Sequence, residues 1–452
     1  MIRSDWTTSM VLVGLALVQA QPAIAGICSD PEGACPDPCP AENSCSGPYG
    51  SGEDCPEGLI CVPSCLPSWC FCYSGGNWTC SFDCAGECYE WPEPSGPPTH
   101  TITDLGTLGG LEAHANAINN YGDIVGQSGA PDGTRHAVLW ADGEVIDLGP
   151  PDVWSSADDI NNHRQVVVNH SDRAYVWDSG DIFYLGTGRA TACAINDVGQ
   201  VVGSGSSSAC LWEGGVMTDL YDTVGLAGAN GINNLGHVVG SVQAGTEWHA
   251  ALWDGQGVVD LGTLGGERSS AEGINDLDQV IGESERAPGG DRRFYGFFWD
   301  GERMYDMADL VGYDSSAYAI NNCGEILLPG TRRSDERFYI YSADRGLRSV
   351  RGVFGPATGW WYLLAWDMND AGEIVGLGNI SGPARAFLIA QIRGDLDGDG
   401  DVDLRDWAEF SRRFTGPKQP AIPGCERADM DRDADVDLED FVLFQEALTV
   451  PQ

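Results

Sequence analysis

One phrase recurs seven times between residues 118 and 376 and restricts the fold more than any other feature of the sequence. Its first copy, residues 118–126, reads Ile-Asn-Asn-Tyr-Gly-Asp-Ile-Val-Gly. The copies are 42, 35, 37, 42, 46 and 48 residues apart, and they begin at Ile118, Ile160, Ile195, Ile232, Ile274, Ile320 and Met368. Such spacing is typical of a supersecondary unit that is repeated and stacked.

Each copy has the chemistry of β-hairpins. Asparagine bonds its own backbone and glycine supplies a positive φ, so Asn-Asn-x-Gly between two apolar runs favours a turn. An apolar phrase follows, such as His136-Ala-Val-Leu-Trp140, and several copies close with an Asp-Leu strand, as at Asp147, Asp219 and Asp260. Each copy is therefore expected to form three or four short strands.

A unit of this size cannot bury its apolar face alone, so the copies must stack. We predict a mainly β fold, with a seven-bladed β-propeller-like domain over residues 101–392. An open β-solenoid fits the same repeat length. The last copy lacks its Asp-Leu-Gly strand, whereas an orphan strand stands at residues 101–106, before the first copy. We expect that orphan to complete the last blade and close the ring.

The recurring phrases Ile-Asn-Asn-x-Gly-x-Ile-Val-Gly, His-Ala-x-Leu-Trp and Asp-Leu-Gly-Thr-Leu-Gly-Gly resemble the extracellular repeats of the HAF family over about 290 residues. Copies two and six depart from the pattern, because Val168 and Leu328 replace the last glycine. Those blades are expected to be irregular. The resemblance implies an extracellular bacterial protein and no particular activity.

The segment before the repeats has two parts. Residues 1–25 contain Arg3, an apolar run and Ala-Ile-Ala ahead of Gly26, which predicts a secretory signal peptide. Residues 26–90 hold twelve of the 16 cysteines and predict a small disulfide-rich module, with zinc as the competing interpretation. Its second half resembles modules of the von Willebrand C or pacifastin type. Residues 91–100 read as a proline-rich linker.

Residues 393–450 carry two loops with aspartate at alternate positions. An EF-type loop binds calcium through oxygens at positions 1, 3, 5, 7, 9 and 12. The predicted ligands of the two loops, and hence of two Ca²⁺ ions, are Asp395, Asp397, Asp399, Asp401, Asp403 and Asp406, then Asp429, Asp431, Asp433, Asp435, Asp437 and Asp440. Gly400 stands at the sharp turn of the first loop, whereas Ala434 replaces it in the second, which is expected to bind more weakly.

An apolar helical pattern follows each loop, and no such pattern precedes either loop. A duplicated loop and helix of this kind resembles a type I dockerin. The resemblance implies a small α-helical calcium domain that docks onto a cohesin-like protein or a component of the cell envelope. The positions that carry recognition in that family are Leu404-Arg405 and Leu438-Glu439 here, and they are not matched between the loops.

The net charge of −43 restricts the partners. So acidic a surface repels nucleic acid and anionic lipid. No stretch after the signal is long and apolar enough to enter a bilayer, so membrane insertion is not expected. The protein is predicted to be secreted, either extracellular or held at the cell surface.

No catalytic motif stands out among the repeats. Asp123, Glu325 and Glu373 could belong to a carboxylate pair, but repeated positions of this kind are usually turns. Cys193 and Cys210 could pair within one repeat. The leading hypothesis is a non-catalytic binding or scaffold protein with a glycan as one ligand of the propeller face. The alternative is a polysaccharide-active hydrolase that the tail delivers to an assembly.

Overall fold

The computed structural model describes residues 59–63, 86–90, 98–150, 153–171, 173–186, 188–205, 208–286, 293–330, 337–353, 358–380, 382–397, 400–413, 428–430 and 436–449. The chain forms two compact units, residues 1–92 and 93–452. In the first unit β1 (Leu59–Pro63) pairs antiparallel with β2 (Gly86–Glu90). The signal segment and the rest of the predicted disulfide module lie outside the described residues.

Seven antiparallel sheets of four strands form the body of the second unit, and each is one blade. Blades 1 to 3 comprise β4 (Ala113–Ile118), β5 (Ile124–Gly129), β6 (Arg135–Ala141), β7 (Glu144–Asp147), β8 (Ser155–Ile160), β9 (Val166–His170), β10 (Arg173–Asp178), β11 (Asp181–Tyr184), β12 (Thr191–Ile195), β13 (Val201–Ser204), β14 (Ala209–Glu213) and β15 (Val216–Asp219). Blades 4 and 5 comprise β16 (Leu226–Ile232), β17 (Val238–Ala244), β18 (Glu247–Trp253), β19 (Val258–Gly262), β20 (Gly265–Ile274), β21 (Val280–Arg286), β22 (Phe294–Trp299) and β23 (Met304–Asp306).

Blade 6 comprises β24 (Ala319–Ile320), β25 (Ile326–Pro329), β26 (Phe338–Ser342) and β27 (Gly346–Val350). Blade 7 comprises β28 (Trp360–Met368), β29 (Ile374–Ile380), β30 (Ala384–Gln391) and β3 (His100–Asp104). The seven-bladed β-propeller predicted from the repeats is therefore confirmed, and the open solenoid is wrong.

Blade 7 closes the ring, because its fourth strand comes from the start of the propeller. β3 pairs antiparallel with β30, from His100 opposite Gln391 to Asp104 opposite Phe387. An ion pair of 3.0 Å between Arg385 and Asp104 adds to this junction. The orphan strand thus completes the last blade, as the sequence indicated.

A β-bulge explains the glycine that ends the repeated phrase. The register between β4 and β5 shifts between Ala115 and Ala117, which brings the two backbones close together. A Cβ atom on Gly126 would lie only 2.0 Å from the carbonyl oxygen of His114. Equivalent register shifts occur in the first pair of strands of blades 2, 3, 4, 5 and 7.

The two copies without this glycine behave differently. Blade 2 keeps four strands and its bulge although Val168 is fully buried there. In blade 6, where Leu328 takes the position, the first strand is reduced to Ala319–Ile320. The expected irregularity is therefore found in blade 6 only.

Two short helices follow an aspartate that ends the fourth strand. Asp219 caps α1 (Leu220–Val224) by accepting a hydrogen bond from the Asp222 N–H, and Asp306 caps α2 (Met307–Val311) through the Ala308 N–H. In blade 1 the corresponding Asp147 accepts instead from the Gly149 N–H at 2.9 Å. In all three blades an aspartate ends the fourth strand and accepts a backbone hydrogen bond. The residues after the aspartate determine whether a turn or a helix forms.

The C-terminal segment contributes α3 (Leu404–Arg413) and α4 (Leu438–Thr449), each directly after one of the aspartate-rich loops. Phe410 and Phe444 are fully buried between them, with ring centroids 5.2 Å apart. Leu396 and Val436, from the two loops, complete this small core. Among the described residues, no helix combines the length and apolarity that crossing a membrane requires.

Candidate functional site

The first asparagine of the repeated phrase links each blade to the next. Its side-chain Nδ2 donates to the carbonyl oxygen of the same asparagine in the following blade, at 2.9 to 3.2 Å. The seven bonds form a closed circle through Asn119, Asn161, Asn196, Asn233, Asn275, Asn321 and Asn369. The side-chain oxygen meanwhile accepts from the backbone of its own turn, as Asn161 does from the His163 and Gln165 N–H groups.

The second residue of the phrase forms another closed circle. Its backbone N–H donates to the side-chain oxygen of its counterpart in the next blade, at 2.8 to 3.0 Å. The members in order are Asn120, Asn162, Asp197, Asn234, Asp276, Asn322 and Asp370. Only a short side chain with an accepting oxygen satisfies this geometry, which explains why every copy has asparagine or aspartate here.

The three aspartates of this second circle are never neighbours. Asn234, for example, stands between Asp197 and Asp276 and donates to a carboxylate of each at 3.0 Å. Amide groups thus separate and stabilise the charges, which would repel one another if adjacent. The sequence pattern indicated turns at these residues and did not indicate their role between blades. The absence of any other residue type at this position in seven copies was the available signal.

The first strands also place carboxyl groups in the central channel, a cavity of about 200 Å³ lined by members of the two circles together with Asp159 and Asp367. Burial raises the pKa of Asp159 to about 8, and the charge of Asp367 adds to the shift. Burial likewise raises the pKa of Asp367. Each accepts a hydrogen bond from the next blade, from the Ile195 and Ile118 N–H groups respectively.

Two further carboxyl groups, Asp158 and Glu272, stand two residues before the first position of the phrase in blades 2 and 5, outside the residues that line the cavity, and burial raises the pKa of each. No copy has lysine, arginine or histidine in the two residues before the first residue of the phrase or in the two residues after that first residue. The channel wall is therefore acidic without a basic side chain at these positions. These carboxyl groups depart from the repeat pattern, which was the only signal for them in the sequence.

The carboxylates that the sequence singled out are parts of the turns. Asp123 accepts from Asn119 and forms an ion pair with Arg164 of the next blade at 2.7 Å. Glu325 accepts from Asn321 and from Arg348. Glu373 accepts from the side chain of its own Asn369 in the same manner. We assign all three carboxylates to structural bonds.

The cysteines of the propeller do not pair as considered. Cys193 and Cys210 are free, because they lie on β12 and β14 with β13 between them. Burial raises the pKa of Cys193 to about 11, and the charges of Asp158 and Asp159 contribute a smaller part of the increase. The thiol is therefore protonated and unreactive near neutral pH.

The first aspartate-rich loop brings its carboxylates together. Oxygens of Asp395, Asp397 and Asp406 lie within 4.8 Å of one another, as do those of Asp401, Asp403 and Asp406. Asp406 is fully buried and accepts from the N–H groups of residues 396, 397 and 403, at 2.7 to 3.1 Å. The Gly400 N–H donates to Asp395 at 3.0 Å, across the turn of the loop. Asp399 lies outside the described residues.

The second loop repeats the bonds at its end. Asp440 is fully buried and accepts from the N–H groups of Met430 and Asp437, the counterparts of Leu396 and Asp403. Asp429 lies at the start of this loop, and Asp431, Asp433 and Asp435 lie outside the described residues. The two loops therefore fold alike where both are described.

The donor set of the first loop fits calcium. Ca²⁺ takes six to eight oxygens at 2.3 to 2.6 Å, so two ligands of one ion lie at most about 5 Å apart. The oxygens of both groups meet this limit, and all are hard carboxylate donors. The loop therefore has the chemistry and the dimensions of a calcium site.

No protein-family model and no curated protein sequence matches the chain. Among solved structures it is similar to the β-propeller domain of the Trilobed protease from Pyrococcus furiosus, at 11% identity and a TM-score of 0.43, over 62% of this chain and 95% of that one. It is similar to the acylaminoacyl peptidase of Pyrococcus horikoshii at 12% identity and a TM-score of 0.39, over 66% of this chain and 54% of that one. A mutant of the Aleuria aurantia lectin in complex with a methyl fucoside matches at 12% identity and a TM-score of 0.29, over 57% and 97% of the two chains. The strand pairing of this chain is what establishes its fold.

Proposed function

We propose that this chain is an exported calcium-binding protein whose propeller presents a binding surface and whose C-terminal segment docks onto a partner. One Ca²⁺ is expected in each loop, at residues 395–406 and 429–440. The resemblance of the tail to type I dockerins supports a cohesin-like protein or a component of the cell envelope as that partner.

The burial of carboxylates is the observation that carries the calcium proposal. Asp406 and Asp440 are each 0% exposed and Asp395 is 1% exposed. Backbone N–H groups offset part of the cost of burying Asp406 and Asp440. They do not remove the repulsion between carboxylates whose oxygens lie within 4.8 Å of one another, as in the first loop. Three buried or clustered carboxylates in one loop repel one another, and a divalent cation removes that repulsion.

The apolar residues that begin the two helices support a docking surface. Leu404 and Leu438 occupy the same position in the two loops and are 81% and 66% exposed. Large apolar side chains held in water at equivalent positions suit contact with another protein. Arg405 and Glu439, which follow them, carry opposite charges, so the two halves of the surface offer the partner different electrostatics.

Cysteine chemistry supports export. Cys323 is disulfide-bonded. Structural disulfides persist in oxidising compartments and are rare in the cytosol. This agrees with the signal peptide predicted at residues 1–25.

Calorimetric titration of the full chain with Ca²⁺, together with circular dichroism, tests the proposal. Two ions are expected to bind and to increase the helical signal. Asp406→Asn removes a buried charge at the twelfth position, so we expect loss of the first site or at least about tenfold weaker binding there. Asp440→Asn is expected to act likewise on the second site.

Asp181→Asn, on the exposed strand β11, is the matched control and should leave both sites intact. If wild-type protein binds no Ca²⁺ at millimolar concentration, the proposal is wrong. Equal binding by Asp406→Asn would contradict the assignment of this residue as a ligand.

A second candidate function is hydrolysis of glycosidic bonds by carboxyl groups on the first strands of the blades. The specific observation is that the pKa values of Asp158 and Glu272 are raised by burial, as a general acid requires. Trp366 and Tyr362, on the first strand of blade 7, are 48% and 39% exposed and offer apolar faces to a sugar ring.

Release of reducing sugar from soluble polysaccharides tests this candidate. Hydrolysis that is lost in Glu272→Gln or Asp158→Asn and kept in Asp181→Asn would favour it. Absence of release across neutral and acidic polysaccharides, or release that persists in both Glu272→Gln and Asp158→Asn, would rule it out.

A further inference from the structure

The first calcium loop begins directly after the strand that closes the ring. β30 ends at Gln391, opposite His100 of β3. The pairing continues for one more bond, since the Ile392 N–H donates to the Thr99 carbonyl oxygen at 3.1 Å. Only residues 392–394 separate this strand from Asp395, the first predicted ligand. The chain thus passes from ring closure to metal loop without a flexible linker.

Hydrogen bonds fasten both loops to this short segment. The Asp395 N–H donates to the Ile392 carbonyl oxygen at 3.0 Å, and Gln391 Nε2 donates to the carbonyl oxygen of Asp395. Arg393 Nη2 donates to the Met430 carbonyl oxygen, in the second loop, at 3.1 Å. The residues that follow the closing strand therefore contact both halves of the C-terminal segment.

Packing at the junction is close as well. Gly394 has a φ of +89°, and a Cβ atom there would lie 2.9 Å from the Ala447 Cβ of α4 and 3.1 Å from Cγ1 of Val402. Any larger residue would push the first loop and the second helix apart. Beside this junction, a groove of about 840 Å³ is lined by Thr101 of β3 together with Asp395 and Asp429, the first positions of the two loops.

We propose that calcium acts as a clasp on the propeller: filling of the first loop stabilises the pairing of β3 with β30. The inference rests on the proposed calcium binding and goes beyond docking. Asp395 can bind the ion as a loop ligand only while its backbone is ordered, and that backbone is bonded to Ile392 and Gln391. A ligand that binds one state only stabilises that state in proportion to its concentration over Kd. Calcium therefore opposes fraying of the closing strand, and closure of the ring strengthens calcium binding.

Hydrogen exchange of the full chain, measured by mass spectrometry with Ca²⁺ and with chelator, tests the clasp. Amides of β3 and β30 are expected to exchange more slowly with Ca²⁺, by up to about a hundredfold when the ion is at 100 times its Kd. Amides of blade 4, strands β16 to β19, serve as the internal reference and should change little.

The double variant Gln391→Ala with Arg393→Ala removes the two side-chain bonds that fasten the loops, leaves the backbone bond of Asp395 to Ile392, and removes no predicted metal ligand. It should bind two ions by calorimetry, while the calcium-dependent protection of β3 and β30 shrinks. Gln256→Ala with Arg345→Ala, both exposed on other blades, is the matched control and should behave as wild type.

The outcomes separate the two proposals. Binding of two ions without any change in exchange at β3 and β30 would overturn the clasp alone, as would equal slowing in blade 4. Failure of the wild-type chain to bind Ca²⁺ would overturn the clasp and the proposed function together.

Discussion

At the scale of residues, two copies of the repeat lack the turn glycine, and in each of them the residue that replaces it bonds to the preceding blade. The position that follows the turn glycine holds a side chain that accepts from the first asparagine, as Gln165 and Gln200 do at 2.8 and 2.7 Å. Blade 4 has His237 there instead. In blade 5 the glycine is replaced by Asp278, with a φ of +58°, and its carboxylate accepts from both Asn233 and His237. One departure therefore compensates the other across the blade boundary.

A second pair follows the same logic. Arg164 replaces the turn glycine of blade 2 with a φ of +60° and forms two hydrogen bonds with Asp123 of blade 1. Those bonds raise the pKa of Arg164, so its charge is firmly kept. In both cases a residue that strains the turn gains a hydrogen-bond partner in the preceding blade.

The pair in blades 4 and 5 gives a prediction about stability. Asp278→Gly relieves the positive φ but leaves Asn233 and His237 without this acceptor, and we expect a net loss of about 1 kcal/mol. In blade 3, Gln200 stands beside Gly236 of the next blade. Adding His237→Gln gives blade 4 the same glutamine beside a glycine at position 278, so the double variant should recover the lost stability. Urea denaturation of the four proteins in the cycle measures the coupling, expected at about 1 kcal/mol or more. Additive effects of the two substitutions would contradict the compensation.

At the scale of elements, the bulge in the first strand decides where a side chain fits. In blades 1, 3, 4, 5 and 7 the first two strands approach so closely beside the bulge that only glycine fits on the second strand. In blade 4, a Cβ atom on Gly240 would lie 1.8 Å from the Gly228 carbonyl oxygen. Blade 2 shows that another solution exists, since Val168 is buried at the same position beside a bulge of its own.

We therefore predict that Gly240→Ala destabilises the protein by about 3 kcal/mol, because the backbone must shift to admit the methyl group. The control is Gly257→Ala, since a Cβ atom at Gly257 would meet nothing within 4 Å. That change should alter the free energy of unfolding by no more than about 0.5 kcal/mol. Thermal unfolding checks both variants, and equal stability of the two would refute the explanation of the repeated glycine.

At the scale of the whole molecule, seven blades bring carboxyl groups from distant parts of the chain into one channel. Asp159 and Asp367 stand on opposite sides of blade 1, 208 residues apart in sequence, and the charge of one raises the pKa of the other. The sequence around neither aspartate indicates a raised pKa. The low dielectric of the channel wall and the proximity of like charges raise the pKa.

This arrangement predicts how stability depends on pH. The folded protein keeps Asp159 protonated up to about pH 8, whereas the unfolded chain releases this proton near pH 4. Unfolding therefore releases a proton from this group between these values, so the contribution of Asp159 to the free energy of unfolding falls as the pH rises from about 4 to about 8.

Asp159→Asn removes this titration and keeps an oxygen that can accept from the Ile195 N–H. The variant should match wild type at pH 4 and exceed its free energy of unfolding by about 1 to 3 kcal/mol at pH 8. Denaturation in urea at both values measures the difference. Asp181→Asn, on an exposed strand, should show no such pH dependence. A variant less stable than wild type at pH 8 would overturn the prediction.

Several features followed from the sequence alone. The number of blades and the strand that closes the ring were predicted, and three or four strands were expected in each blade, because each feature depends on local patterns that recur every 35 to 48 residues. The two helices after the aspartate-rich loops were predicted for the same reason. The calcium ligands remain a prediction from spacing, and the burial of Asp406 and Asp440 agrees with it.

Only the tertiary structure decided which groups meet between blades. Asn369 bonds to Asn119 across 250 residues of chain, and Gln391 contacts the first aspartate-rich loop because ring closure fixes where β30 ends. Residues such as Asp123 and Glu325 looked like possible acids until their partners in the turns were visible. Burial, pKa and partner depend on the positions of neighbouring blades, which a pattern within one copy cannot specify.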